Sequence, residues 1–183
     1  MTTTPNAVAI VLAALASPAL REIVAHWNAV RGDRMMPAWE DIDPLMIKRH
    51  LPIVWSWKYD RGSDSFTGRL AGETINAIFG KSLRNAKMEE FFAGWNYPAI
   101  FARHRRVICE PCIAVGKGLV FVHAERYGVG ERVILPLAKD GLHGDGLIGA
   151  TVYEWGKADV SAASEMVENI TYYPLSAPPD VGT

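Results

Sequence analysis

The sequence predicts an α+β fold, and three observations carry that prediction. Two strand-like segments near residue 55 are followed by a run of short helical patterns, and three strand-like segments close the domain. The length of 183 residues suits one medium domain, with residues to spare for a terminal extension. A hydrophobic fraction of 49% is enough for a substantial core, which sets global disorder aside.

Residues 1–6 read as a frayed end. Ala7 to Ala16 spells AVAIVLAALA, ten residues without a polar side chain. The run is too short to span a bilayer. Ala14-Leu15-Ala16 has the form of a secretory cleavage site, yet the preceding TTTPN supplies no Lys or Arg. A short packed helix or apolar arm is the expectation. Ser17-Pro18 then fits an N-cap followed by proline at the first helical position. Leu20, Ile23, Val24, Trp27 and Val30 recur at helical spacing, and Arg31-Gly32 supplies a stop. This predicts an amphipathic helix over 18–31, whose stripe needs either the main domain or another subunit to cover it.

Pro37, Pro44 and Pro52 punctuate an ordered linker over 32–52. Met35, Met36, Trp39, Ile42, Leu45 and Ile47 are its expected packing anchors, and Asp43 is placed to cap a short helix from Pro44 to about His50. Ile53 to Tyr59 has strand propensity, Asp60 to Asp64 is a turn, and Phe66 to Leu70 completes a hairpin. Ile75, Ile78 and Phe79 fit a short helix closed by Gly80, and a longer helix is expected over 97–107. The closing strands are read as a hairpin of Cys112–Val115 and Gly118–Glu125 about Gly116-Lys117-Gly118, then Arg132–Ala138, then Leu147–Glu154. Ala158 to Ile170 is compatible with a helix, whereas Pro174, Pro178, Pro179 and Gly182 point to a loose tail. The division expected is an N-terminal arm, helix and linker over 1–50, a main domain over 51–155 and a C-terminal extension over 156–183.

Charge and cysteines narrow the function classes. Lys plus Arg number 19 against 20 for Asp plus Glu, a net charge of −1, which speaks against a dominant nucleic-acid footprint. Two cysteines cannot build a disulfide framework in a chain this large, so cytoplasmic residence is the simpler reading.

Three blocks carry a resemblance. The first is Trp27, Arg31-Gly32, Met36-Pro37-Ala38, Asp41-Ile42-Asp43-Pro44 and Leu51-Pro52. The second is Arg69-Leu70-Ala71-Gly72 with Ile75 and Phe79-Gly80, and the third is Leu135-Pro136-Leu137-Ala138 with Asp140-Gly141 before Gly149-Ala150. In their order and spacing over 27–155 they resemble a family of small stand-alone bacterial PAS-domain proteins. The resemblance implies a five-stranded antiparallel sheet with a helical middle and an N-terminal helical extension. It also implies a ligand pocket between the sheet and the helical middle, and pairing through the sheet or a flanking helix. Trp57, Phe66, Leu70, Ile78, Phe79, Phe92, Phe101, Val120 and Ile134 would line that pocket, unless they simply fill a core. A homodimer through Leu20, Ile23, Val24, Trp27 and Val30 is expected.

Local chemistry is sparse. Cys109-Glu110-Pro111-Cys112 is a redox or metal spacing, but it stands at a helix-to-strand junction rather than at the start of a helix. A structural zinc site needs four ligands, and only His104 and His123 are at hand to complete one, so no metal is assigned. Haem has only isolated donors in His104, His123 and Met88. Gly80-Lys81-Ser82-Leu83-Arg84-Asn85 lacks the cysteine of a flavin photoreceptor, so the cofactor is left unknown. Of the run Arg103, Arg105 and Arg106, Arg106 is expected to face an anionic group at the pocket mouth, while the other two meet solvent or a partner. Gly128-Val129-Gly130 reads as a turn rather than a phosphate cradle. Ser161, Ser164 and His143 form no nucleophile pattern, and no enzyme is predicted.

The expected function is a sensory or protein-interaction module in bacterial signalling. Its ligand would be small and apolar or weakly acidic, and its output would pass through a protein partner or its own dimer, without a membrane span. The alternatives are a constitutive scaffold with a filled core and a small redox protein using Cys109 and Cys112.

Overall fold

The structure, a computed structural model, describes residues 6–93, 95–123, 126–157 and 168–175. The frayed end, apart from Asn6, lies outside these residues, as do Ser161, Ser164 and residues 158–167 of the helix expected after Ala158.

The apolar arm is helix α1 (Ala7–Ala14), which buries Val8 and Val11. Asn6 caps it, its side-chain oxygen accepting the Val8 N–H at 3.1 Å. Helix α2 (Pro18–Arg31) opens with Ser17 as N-cap and Pro18 in its first turn, as the sequence predicts. Two 3-10 helices follow, Trp39–Asp41 and Lys48–Ile53. No α-helix opens at Pro44: the Asp43 side chain accepts the Leu45 N–H at 2.9 Å and tightens a turn instead. Met36 and Ile47 anchor the linker in the core, but Leu45 is 75% exposed and anchors nothing.

Strands β1 (Val54–Asp60) and β2 (Ser65–Ala71) form the expected hairpin. Helices α3 (Glu73–Phe79), α4 (Met88–Phe91) and α5 (Tyr97–Cys109) make the helical middle. Gly80 ends α3 in the left-handed region at φ 64°. Strands β3 (Cys112–His123), β4 (Arg126–Leu137) and β5 (Gly146–Lys157) follow.

A sixth strand, β6 (Glu168–Pro174), stands where a helix and tail are expected. Glu168, Ile170 and Tyr172 alternate with Asn169 and Thr171, a period-two pattern that β3 completes by pairing antiparallel along its length. The sheet is antiparallel throughout, in the order β2-β1-β5-β4-β3-β6. Two sequence-based turns are corrected here. Gly116-Lys117-Gly118 lies inside β3, and Gly128 and Gly130 lie inside β4. Gly118 takes φ 103° next to a register shift between Leu119 and Phe121, so this glycine bends a strand rather than closing a hairpin.

The sheet has helices on both faces, and each face has its own core. On one, α1 and α2 cover Val54, Val133, Leu135, Leu137, Ile148 and Ala150. On the other, the helical middle covers Trp57, Tyr59, Phe66, Val120, Ile134 and Leu147. The stripe Leu20, Ile23, Val24 and Trp27 is therefore turned onto the chain's own sheet and is 2% exposed or less. This corrects its assignment to a dimer face: with Val30 at its half-buried end, the stripe is inner surface, and a homodimer must use other residues. Trp27 fixes the contact by donating its indole N–H to the Pro136 carbonyl at 2.9 Å, inside the core.

A charge clasp holds the corner between α1 and α2. Lys117 and Glu131 are cross-strand partners on β3 and β4, with Nζ 3.0 Å from Oε1. Lys117 donates to the Ala14 carbonyl at 2.6 Å, at the negative end of α1. Glu131 accepts the N–H of Ala16 at 3.0 Å and of Ser17 at 2.7 Å, at the positive end of α2. Each charge thus meets the helix end of opposite sign. Among the described residues no helix is long and apolar enough to cross a membrane.

Candidate cavity between the sheet and the helical middle

The sheet face beneath α3–α5 does not close completely. A cavity of about 890 Å³ remains, within the range of small-molecule sites. Its floor takes alternate residues of two strands, Trp55 and Trp57 from β1 and Glu168, Ile170 and Tyr172 from β6, with Thr151 from β5, Arg132 from β4, and the consecutive run 119–122 at the register shift of β3. Its roof is Ile75 and Phe79 of α3, Phe91 of α4, Ile100, Arg103 and His104 of α5, and the segments carrying Leu83, Phe92, Trp95 and Asn96.

Eight of the 22 described lining residues are Phe, Trp or Tyr. Phe79 stands 4.7 Å from Phe91, 5.0 Å from Trp95 and 5.5 Å from Phe92, measured between ring centroids. Trp57 packs edge-on against Phe91 at 5.7 Å. Trp55 donates its indole N–H to Thr151 Oγ1 at 3.0 Å, and its ring lies over Gly149, where a Cβ would stand 2.3 Å from it.

One end of the cavity is charged. Glu168 Oε2 lies 2.7 Å from Arg103 Nη1 and 3.5 Å from Arg132 Nη1. Arg132 also donates to the Val120 carbonyl at 2.6 Å and lies over the Phe121 ring at 5.1 Å. A row across the sheet reads Thr151, Arg132, Gly116, Ile170, and the Glu168 carboxylate rests in the gap that Gly116 leaves. A Cβ at Gly116 would stand 2.3 Å from Glu168 Oε1. Burial pushes the Arg132 guanidinium down to about 10, with Glu168 opposing the fall, so it stays charged at neutral pH.

His104 is the other titratable group of this wall. Its Nδ1–H donates to the Ile100 carbonyl at 2.6 Å. Burial, then the nearby Arg103 charge, pushes the imidazole well below its ordinary value. A group depressed in the folded state stabilises the fold above its unfolded value, and that stability drains away as pH falls towards the folded value. Stability is therefore expected to fall below pH ~6.5, with a limiting slope of about 1.4 kcal/mol per pH unit for one proton. Urea unfolding of the wild type and of His104→Leu between pH 5 and pH 8 checks this, because the variant should lose that part of the slope.

Of the residues expected to line the pocket, Trp57, Phe79, Phe92 and Val120 do so. Phe66, Ile78 and Ile134 are buried behind the wall in the same core. Phe101 packs against Phe66 at 5.6 Å without lining the cavity. Leu70 is on the opposite face, because a register shift between Ser56 and Trp57 pairs it with Ser56.

The arginine assignment is reversed. Ile100, His104, Val107 and Ile108 set the inner face of α5 and bring Arg103 to the cavity. Arg106 stays outside, 3.1 Å from Glu110 and 4.0 Å above the Tyr172 ring, and Arg105 pairs with Asp64 at 2.9 Å. Helical phase could have separated Arg103 from Arg106 in the sequence. Glu168 had no comparable signal, since its strand is recognisable only beside β3.

Cys109 and Cys112 are free thiols. Burial pushes the Cys112 thiol up to about 11, which disfavours its thiolate. Iodoacetamide on the native protein should therefore label Cys109 ahead of Cys112, and both only in denaturant; peptide mass spectrometry distinguishes the two sites. Among the described residues no three His, Cys, Asp or Glu side chains converge as a metal site.

A family model described as PAS domain matches residues 15–152 of the chain. No curated protein and no solved structure matches it.

Proposed function

The chain belongs to the PAS-domain family, and from that premise we propose that it is a ligand-responsive signalling module whose ligand sits between the sheet and the helical middle. The observation that carries the reading is the cavity of about 890 Å³ walled by aromatic rings. A scaffold with a filled core would leave no such space between these rings and the sheet. Occupancy alone transmits nothing; a ligand must favour one arrangement of α3–α5 and β6 over another. Output then passes to a signalling partner or a second copy of the chain through surfaces other than the α2 stripe. Two free thiols fit a reducing compartment, in keeping with work in a bacterial cytoplasm.

Native mass spectrometry of gently purified full-length protein tests this reading. The expected result is a bound small-molecule mass that is lost on denaturation, with the subunit number read in the same spectrum. If no small molecule is retained and none from a panel of apolar compounds shifts the melting temperature, the reading fails.

A further inference from the structure

We propose that the charged end of the cavity is a carboxylate receptor: Arg103 and Arg132 take the headgroup of an apolar monocarboxylic acid, and Glu168 is the internal anion that shares the two arginines with this headgroup. The proposal rests on the ligand-holding reading above and names the ligand class.

Charge comes first. Two guanidinium groups face one carboxylate, beside an imidazole whose Nδ1–H is already given to the Ile100 carbonyl. Among the described residues that leaves one positive charge inside a largely apolar wall, and a monoanion balances it. Hydrogen bonding agrees. Among the described residues, Nε of Arg103, Nε of Arg132 and Oε1 of Glu168 are buried without a partner. The Arg132 side chain is only 8% exposed and lines the cavity. Unpaired buried donors are costly, and a planar carboxylate is the group that fits a guanidinium fork.

The existing ion pair is also lopsided. Glu168 is 2.7 Å from Arg103 but 3.5 Å from Arg132, whose shortest contact is to the neutral Val120 carbonyl at 2.6 Å, so the Arg132 charge is the less neutralised of the two. Phe121, whose ring lies under Arg132, and Trp55, bonded to Thr151 beside Arg132, offer apolar surface to the rest of the acid. A phosphate dianion would overshoot the single excess charge, which selects the carboxylate.

Calorimetric titration of the full-length protein at pH 7 with 2-naphthylacetate and its neutral amide, 2-naphthylacetamide, tests the proposal. The acid should bind at least about tenfold tighter than the amide, the scale of one charge-assisted hydrogen bond. Arg132→Met should abolish that preference, bringing the two affinities within about twofold of each other. Glu168→Gln should strengthen acid binding severalfold, because it removes the competing anion, and so widen the preference for acid over amide. A merely structural Glu168 could not produce that gain. Near-UV circular dichroism monitors folding, and if Arg132→Met does not fold, Arg103→Met and Glu168→Gln decide the matter. Equal binding of acid and amide, or weaker acid binding in Glu168→Gln, overturns the carboxylate receptor and leaves the ligand-holding reading standing. Failure of both probes to bind overturns the carboxylate receptor, and the ligand-holding reading then stands or falls by the native mass spectrum.

Discussion

Replacing Trp27 with alanine is expected to destabilise the fold by about 3–5 kcal/mol, the range for deleting a large buried aromatic side chain. Trp27 is 1% exposed and belongs to the core that α1 and α2 form against the sheet. Two losses combine in the variant. The ring leaves a void between α2 and the sheet, and the Pro136 carbonyl loses the indole N–H it accepts at 2.9 Å. Trp27→Phe separates them: most of the bulk remains and the hydrogen bond goes, for a cost of about 1–2 kcal/mol. Urea midpoints of the three proteins measure both steps. A loss below about 1 kcal/mol for Trp27→Ala would mean that α2 is not docked on the sheet as described. Because α2 and the cavity lie on opposite faces, ligand affinity in the variants that still fold should be unchanged.

Glu131→Ala should cost about 2 kcal/mol, since it leaves the N–H groups of Ala16 and Ser17 without their acceptor and breaks an ion pair whose Lys117 side is half-exposed. Its side chain is 11% exposed and serves two backbone N–H groups as well as Lys117. Burial alone would raise its carboxyl pKa, but the N–H groups of Ala16 and Ser17, together with Lys117, outweigh that and hold it below the ordinary carboxylate range. The sign follows. A carboxylate depressed in the folded state contributes its stability above pH ~4.3 and loses it as the pH falls through the folded value. The gap between wild type and Glu131→Ala should therefore be widest near neutrality and should narrow in acid. Lys117→Met ought to cost less, because Glu131 keeps both backbone donors. Chemical denaturation at pH 7 and pH 3 measures all three proteins.

The architecture was legible because its signals are local. Ser17-Pro18 and Arg31-Gly32 bound α2, Asp60–Asp64 turns the first hairpin, and Gly80 closes α3. What escaped were features decided by neighbours. The glycines of β3 and β4 resemble turn residues until the partner strand is seen running past them. The apolar stripe of α2 has the same spacing whether it meets its own sheet or another subunit, and the sheet claims it. At the cavity, the resemblance named Trp57 and Val120, which line it, but also Leu70, whose face is flipped by the extra residue Arg69 in β2. The polar end was hardest. Arg103, Arg132 and Glu168 are far apart in sequence, and they meet only because β6 adds itself beside β3.

Gly116 makes the cavity's charge balance depend on a residue that carries none. Alanine there would collide with the Glu168 carboxylate and push it away from the two arginines. The chain's net charge would stay at −1, yet the cavity would become more cationic. A substitution that is silent to isoelectric focusing would thus retune the ligand preference of the site, and comparing charged residues alone would miss the change.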